Sequence, residues 1–198
     1  MKIKKIIAIS GSPSKGWNSD TMLDAFIEGA NKVPNVEVKK LYATDVNCDL
    51  YSFENRNGVC DYENELRELF SDIENSQGLI IATPTYNFSV PAGLKNIIDR
   101  MRPIALDMQK INIVGQPTGK LHYLKTYFLV SGGTPTFFQK LMFPVFPPLW
   151  LSLVFKYYGA RLGGSIYGGG LKGTSTAADN KQLLAKARKA GKRYAENL

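Results

Sequence analysis

Residues Ile6-Ile7-Ala8-Ile9-Ser10-Gly11-Ser12-Pro13-Ser14-Lys15-Gly16-Trp17-Asn18-Ser19-Asp20-Thr21 decide how the chain is read. The apolar run over residues 3–9 reads as a strand buried on both faces. It runs out into a hydroxyl-rich turn and then into an amphipathic helix on which Met22, Leu23, Phe26, Ile27 and Ala30 recur at helical spacing. Asn18 or Ser19 is the natural N-cap. Backbone amides and hydroxyls then collect at a helix N-terminus, where the helix dipole favours an anion such as a phosphate. Ser10, Ser12, Ser14, Asn18 and Ser19 supply donors, Gly11 and Gly16 supply backbone freedom, and Lys15 supplies a charge. An ordinary capped helix start has the same composition, so the rest of the chain must give the reason to hold an anion.

After Pro34-Asn35, the alternation of Val36, Val38 and Leu41 predicts a second strand, and residues 43–60 read as a polar, aromatic loop. Asp61 is placed to cap a helix carrying Leu66, Leu69, Phe70 and Ile73. A third buried strand over 78–83 ends in Pro84-Thr85-Tyr86-Asn87-Phe88-Ser89 and is followed by a helix with Leu94, Ile97, Ile98 and Met101 on one side. Residues 102–120 read as irregular. A fourth strand over about 123–130 ends in Ser131-Gly132-Gly133-Thr134-Pro135, and helix-forming residues occupy 148–158. A fifth strand over about 161–167 ends in Gly168-Gly169-Gly170, and a last helix from about Ala177 carries Leu183, Leu184, Ala187, Ala190 and Tyr194. Five strands alternating with helices imply a doubly wound parallel sheet with right-handed crossovers, and no linker divides residues 1–198 into more than a single domain. In the order 2-1-3-4-5, the polar turns after strands one, three and four lie side by side at the carboxyl edge.

The net charge of +8 sits largely at Lys181, Lys186, Arg188, Lys189, Lys192 and Arg193. A solvated helix face accounts for that run, and no nucleic-acid motif accompanies it, so the charge is read as serving solubility and attraction of anionic substrates. The apolar run 142–155 falls short of the roughly 20 residues of a membrane span and is interrupted by proline; a pocket lid or subunit contact is expected instead. Two cysteines, Cys48 and Cys60, and the lone His122 cannot assemble a zinc cluster, so no bound metal is expected. The opening residues pass straight into strand-like sequence without a signal core, which predicts a cytoplasmic protein with neither nucleic acid nor membrane as partner.

A planar ring would fit along Pro84, Thr85, Tyr86, Asn87 and Phe88, with amides near Asn87 facing its heteroatoms and Tyr86 at its edge or face; a loop with two tucked aromatics is the alternative. Ser131, Gly132 and Gly133 carry no bulk where the chain would pass close to a ligand, although a plain glycine turn looks alike. The first turn lacks both the dinucleotide G-x-G-x-x-G and the G-K-[ST] of a nucleotide-hydrolysing loop. A monophosphate held by hydroxyls and amides fits best.

Together, Gly11-Ser12-Pro13…Asn18-Ser19 and Thr83-Pro84-Thr85-Tyr86-Asn87…Pro91…Leu94-Lys95-Asn96…Ile98-Asp99-Arg100 resemble the NADPH-dependent FMN reductase and multimeric flavodoxin group. The resemblance implies a flavodoxin-like fold that binds FMN, assembled as a homodimer or a tetramer. It implies that Ser10, Ser12, Asn18 and Ser19 hold the phosphate, with Ser14 in the same loop. Pro84, Thr85, Tyr86, Asn87 and Phe88 would frame the isoalloxazine ring, and Ser131, Gly132 and Gly133 would close the third side. Members take hydride from NADPH or NADH and pass electrons to a small-molecule acceptor: flavins, quinones, azo or nitro compounds, or metal ions. Where many relatives carry Arg, this chain has Ser14, and where many carry Gly it has Trp17. The iron–sulfur branch uses four cysteines between strand two and helix two; only Cys48 and Cys60 occur here, so FMN without a cluster is expected. Such chemistry needs no protein nucleophile, which suits the absence of an acid–base constellation. A non-enzymatic carrier docking on proteins is the rival reading, but such carriers are typically acidic. A binding protein that has lost its cofactor is a third.

Overall fold

The computed structural model describes residues 3–142, 146–172 and 176–198. In chain order the elements are β1 (Lys4–Ser10), α1 (Asn18–Ala30), β2 (Val36–Tyr42), α2 (Asn64–Glu74), β3 (Gly78–Pro84) and α3 (Ala92–Arg100). There follow α4 (Arg102–Ala105), β4 (Leu106–Ile111), β5 (Pro117–Gly119), β6 (Lys125–Ser131), α5 (Thr136–Met142), α6 (Leu149–Tyr157), β7 (Arg161–Gly168) and α7 (Lys181–Glu196). The main sheet is five-stranded, in order β2-β1-β3-β6-β7, with every neighbouring pair parallel. With the β4–β5 ribbon set aside, this is the expected flavodoxin-like order 2-1-3-4-5.

The apolar run of β1 feeds both faces of the sheet. Ile7 and Ile9 join a core with Leu69, Ile73, Leu94, Ile97 and Phe155, whereas Ile6 and Ala8 join one with Met22, Phe26, Leu129 and Ala187. Alternate side chains of one strand thus enter opposite cores, which is why the run has no polar face. On the second face α1 and α7 approach until a Cβ on Gly29 would stand 1.9 Å from Arg188 O and one on Gly191 1.9 Å from Phe26 O. The rings of Phe26, Tyr127 and Tyr194 pack beside them with centroids 4.7–5.8 Å apart.

Four local expectations change. Helix α1 is capped at Trp17 without a side-chain bond, not by Asn18 or Ser19. Asp20, inside the helix, braces the entry loop, its Oδ2 accepting from Gly16 N at 2.7 Å, and Asn18 Oδ1 accepts from Ala177 N at 2.8 Å instead. Helix α2 starts beside Glu63, not on Asp61, because the Glu63 carboxylate is engaged by Arg100 and fixes the entry (below). Residues 102–120 contain α4 and the antiparallel β4–β5 ribbon, not irregular chain; its exposed Met108, Ile111 and Val114 give it no alternation to read. Helix α7 begins at Lys181 behind an Asn180 cap that accepts from Leu183 N at 2.9 Å, while Ala177 is buried ahead of it.

In the apolar stretch, Leu151 and Phe155 of α6 are core, whereas Phe137, Phe138 and Leu141 on α5 are exposed. Residues 143–145 of that run, like Met1 and Lys2 of the opening, lie outside the described residues. Among the described residues no helix is long and apolar enough to cross a membrane.

Candidate functional site

Each polar turn is stapled to the end of the next strand. Gly11 N donates to Ala82 O at 2.7 Å, Thr85 N to Ser131 O at 2.8 Å, and Gly132 N to Gly168 O at 2.9 Å. The parallel ladder therefore continues past the strands and sets the three turns in one row at the carboxyl edge. Together they line a cavity of about 350 Å³ that takes in Ser12, Ser14, Asn18, Ser19, Pro84, Thr85, Tyr86, Ser131, Gly132 and Gly133. Asn87 and Phe88 line an adjoining cavity of about 580 Å³ that shares Thr85, Gly132 and Gly133 and is bounded by Phe138, Tyr167 and Lys172. Of the sequence-predicted residues, Ser10 alone faces neither cavity; it is fully buried behind the first turn. Trp17 and Leu171 also line the first cavity, and Trp17 is exposed.

The first turn is made by its own hydrogen bonds. Ser12 Oγ donates to Ser14 O at 2.9 Å and accepts from Ser14 N at 3.1 Å, and Gly16 has φ +77°, a left-handed conformation open to glycine at little cost. The first backbone bond of α1 runs from Thr21 N to Trp17 O at 2.8 Å, leaving the Asn18, Ser19 and Asp20 amides ahead of it. Burial would raise the Asp20 carboxyl, but Lys40, 2.8 Å away, and the Gly16 amide outweigh it and hold it below the usual range. Lys40 thereby offsets a negative charge that would oppose an anion. Lys15, which the sequence offered as a replacement charge, turns away: it pairs with Asp45 at 2.8 Å and lies over the Tyr42 ring.

The second turn is a two-residue hairpin closed by Tyr86 N to Ser89 O and Ser89 N to Tyr86 O, both 2.9 Å. Its central residues Asn87 and Phe88 have φ of 47° and 65°. Asn tolerates this; Phe does so at a cost of about 1–2 kcal/mol. The Phe88 ring stacks on Phe146 with centroids 4.8 Å apart, which helps hold the turn. No residue type in the sequence announced that conformation. In the third turn, a Cβ on Gly132 would lie 2.4 Å from the Tyr167 hydroxyl, which donates to Thr134 O at 3.0 Å. Glycine is required there for close approach.

Among the described residues three buried hydroxyl oxygens here lack a hydrogen-bond partner: Ser10 Oγ behind the first turn, and Ser19 Oγ and Thr85 Oγ1 on residues that line the cavity. Buried polar groups are normally satisfied, so the groove offers donors to something that the chain does not supply. Phosphate and ring heteroatoms fit such a donor set.

Beside the groove, residues 48–63 are held by a buried pair. Arg100 Nη1 and Nη2 each donate to Glu63 at 2.6 Å, with Arg100 fully buried and Glu63 1% exposed. The same carboxylate accepts from Asp49 N at 2.9 Å and Cys60 N at 2.7 Å. Arg100 overcomes the opposing effect of burial, and with those amides it brings the Glu63 pKa down to about 2. Sequence reading missed this clamp; an Arg ending a helix and a Glu starting another carry no mutual signal. Cys48 and Cys60 are free and half-buried, and burial pushes the Cys48 thiol up, away from the thiolate that would bind metal. Among the described residues no group of three or more His, Cys, Asp or Glu side chains is placed to hold a metal ion. His122 is exposed in the turn before β6.

A doubly wound parallel sheet with a donor-lined groove at its strand-order reversal defines an α/β protein built to bind a ligand at the switch point. Residues 4–133 match the model of the NADPH-dependent FMN reductase family, and the chain belongs to that family. It is 35% identical over 101 residues to an iron–sulfur flavoprotein of Archaeoglobus fulgidus, covering 50% of this chain and 46% of that protein. It is 28% identical over 140 residues to an FMN-dependent NADH:quinone oxidoreductase of Metamycoplasma arthritidis, covering 68% and 71%. The chain spans about half the length of the iron–sulfur flavoproteins it matches. In fold it is similar to the NAD(P)H:quinone oxidoreductase of Methanothermobacter marburgensis, with a TM-score of 0.72 at 18% identity over 96% of this chain and 98% of that one.

Proposed function

We propose that the chain is an FMN-dependent oxidoreductase that takes electrons from NADH or NADPH and delivers them to a small acceptor, a quinone or an azo compound foremost. The supporting observation is the row of three stapled turns whose buried Ser19 and Thr85 hydroxyls lack partners among the described residues. Family membership and the quinone-reducing relative point the same way. Bound FMN would supply hydride acceptance and electron delivery, which protein side chains lack.

The chain's own residues bind and orient. The α1 amides with Ser12, Ser14, Asn18 and Ser19 would hold the phosphate, while Ser10 supports the loop from behind. Pro84, Thr85, Tyr86, Asn87 and Phe88 would frame the ring, and Ser131, Gly132 and Gly133 would admit its third side. Lacking Arg at position 14 and with Lys15 committed to Asp45, this loop relies on dipoles and hydroxyls. The exposed α5 face of Phe137, Phe138 and Leu141 is placed to serve as acceptor wall or subunit contact.

The test is optical. The purified chain carries or takes up FMN, its flavin absorbance bleaches anaerobically with NADPH or NADH, and an added quinone restores it. Ser19→Val is expected to weaken FMN uptake at least tenfold. A chain that refuses added FMN ends the proposal; one that binds FMN but is not bleached by either nucleotide is a carrier instead.

A further inference from the structure

The basic run of α7 is not one solvated face. Arg188 pairs with Glu28 at 2.5 Å and Lys192 with Glu196 at 3.8 Å. Lys186, Lys189 and Arg193 follow i, i+3, i+7 spacing, share another face, and pair with no carboxylate among the described residues. That face borders a cleft of about 590 Å³ between α7 and the starts of β6 and β7, where Lys125 adds a further cation, over the Tyr194 ring and donating to Asn197 O at 3.0 Å. No Asp or Glu lines it. It lies at the opposite end of the sheet from the cofactor groove: Lys125 begins β6 and Ser131 ends it, about 20 Å apart at strand rise.

Two features set the cleft apart from a merely basic surface. Tyr127, 9% exposed, lines the cleft, and its hydroxyl makes no hydrogen bond to any described residue. At the same place the ladder is irregular: Thr126 pairs with Leu162 and Tyr127 with Gly164, so Gly163 on the cleft wall has no partner on β6. An edge bulge of this kind leaves backbone groups free. Burial, with the Arg161 and Lys4 charges, lowers the Lys125 pKa, so an anion placed there would relieve a repulsion already present.

We propose that this cleft is a binding site for a multiply charged phosphate compound of nucleotide size, held by Lys125, Lys186, Lys189 and Arg193, with the Tyr127 hydroxyl as a neutral donor. The cleft volume lies in the range of small-ligand sites. The site is independent of the cofactor groove and of the activity proposed for it.

Calorimetric titration of the purified chain with sodium tripolyphosphate, at constant ionic strength, tests this. Saturable one-to-one binding is expected. Lys186→Gln with Lys189→Gln should weaken it at least tenfold, and Tyr127→Phe about threefold. Ser19→Ala, in the cofactor groove, should leave it unchanged. Comparing ADP with pyrophosphate then separates two supporting outcomes: tighter ADP means that the nucleoside is recognised, and equal affinity means that the phosphates suffice. Absence of saturable binding, binding that survives the double substitution, loss on Ser19→Ala, or binding of duplex DNA without tripolyphosphate would each overturn the proposal.

Discussion

The two layers that flank the sheet both bury apolar cores but differ in what pins their outer chain. On one side α1 and α7 meet through Gly29 and Gly191, backbone against backbone, with three aromatic rings alongside. On the other, α2, α3 and α6 bury an apolar core of their own, and residues 48–63, with Cys48 and Val59 packed on that core, are tied to it by one buried Arg100–Glu63 pair. The α1–α7 contact loses stability in proportion to misfit. The clamp is close to all-or-none, because breaking one partner strands a charge in the interior. The clamped loop meets α3 directly, Tyr51 N donating to Asn96 Oδ1 at 2.8 Å, and α3 starts where the second turn ends. The clamped segment is therefore the one that reaches the helix following the candidate ring site.

The largest effect should come from breaking that clamp. Arg100→Met leaves Glu63 buried and unpaired and should cost about 3–5 kcal/mol in urea unfolding. Pairing it with Glu63→Leu should recover most of the loss, which separates a stranded charge from a packing defect.

Acid sharpens the same contrast. Glu63 is depressed in the fold from its ordinary 4.5 to about 2. Its contribution is fully present above pH 4.5 and fades as pH falls through about 2, amounting to about 3 kcal/mol. Unfolding of the wild-type chain should weaken across that window by that much more than unfolding of Glu63→Gln, which has no such proton to take up.

The α1–α7 contact should respond less. Gly191→Ala forces a methyl against Phe26 O and should cost about 1–3 kcal/mol as α7 shifts outward. Because α7 ends far from the groove, FMN uptake by the folded fraction should not change; a matching loss of uptake would show that the two layers are coupled.

The smallest effect is expected at Lys15. Its pair with Asp45 is half exposed on both sides, so Lys15→Met should change stability by less than about 1 kcal/mol. FMN affinity should move less than threefold. A tenfold loss would mean that Lys15 leaves Asp45 for the phosphate.

Most of the groove was legible because its physics is local. A strand, a turn of small donors and a helix recur after β1, β3 and β6, and parallel pairing places such turns side by side whatever the side chains beyond them. Ser10 lies off the cavity for an equally simple reason: as the last residue of β1 it shares the parity of Ile6 and Ala8 and faces α1, a parity that slips with one residue of strand length. The left-handed Phe88, the Asp20 brace and the Glu63 clamp were not legible. The clamp depends on a partner distant in sequence and Phe88 on strain held by surrounding structure, whereas Asp20 closes locally on Gly16, one of several polar side chains of that loop able to do so.

The sequence by itself determined the strands alternating with helices and the turns that form the ligand edge, since hydrophobic period and turn chemistry are properties of neighbouring residues; the strand order came by analogy with flavodoxin-like folds. Only the tertiary structure decided which charges act alone. Lys15 is spent on Asp45, Asp20 is balanced by Lys40, Arg188 and Lys192 are paired, while Lys125, Lys186, Lys189 and Arg193 converge on one cleft. A charge acts on whatever lies near it in space, and that neighbourhood exists only once the chain has folded.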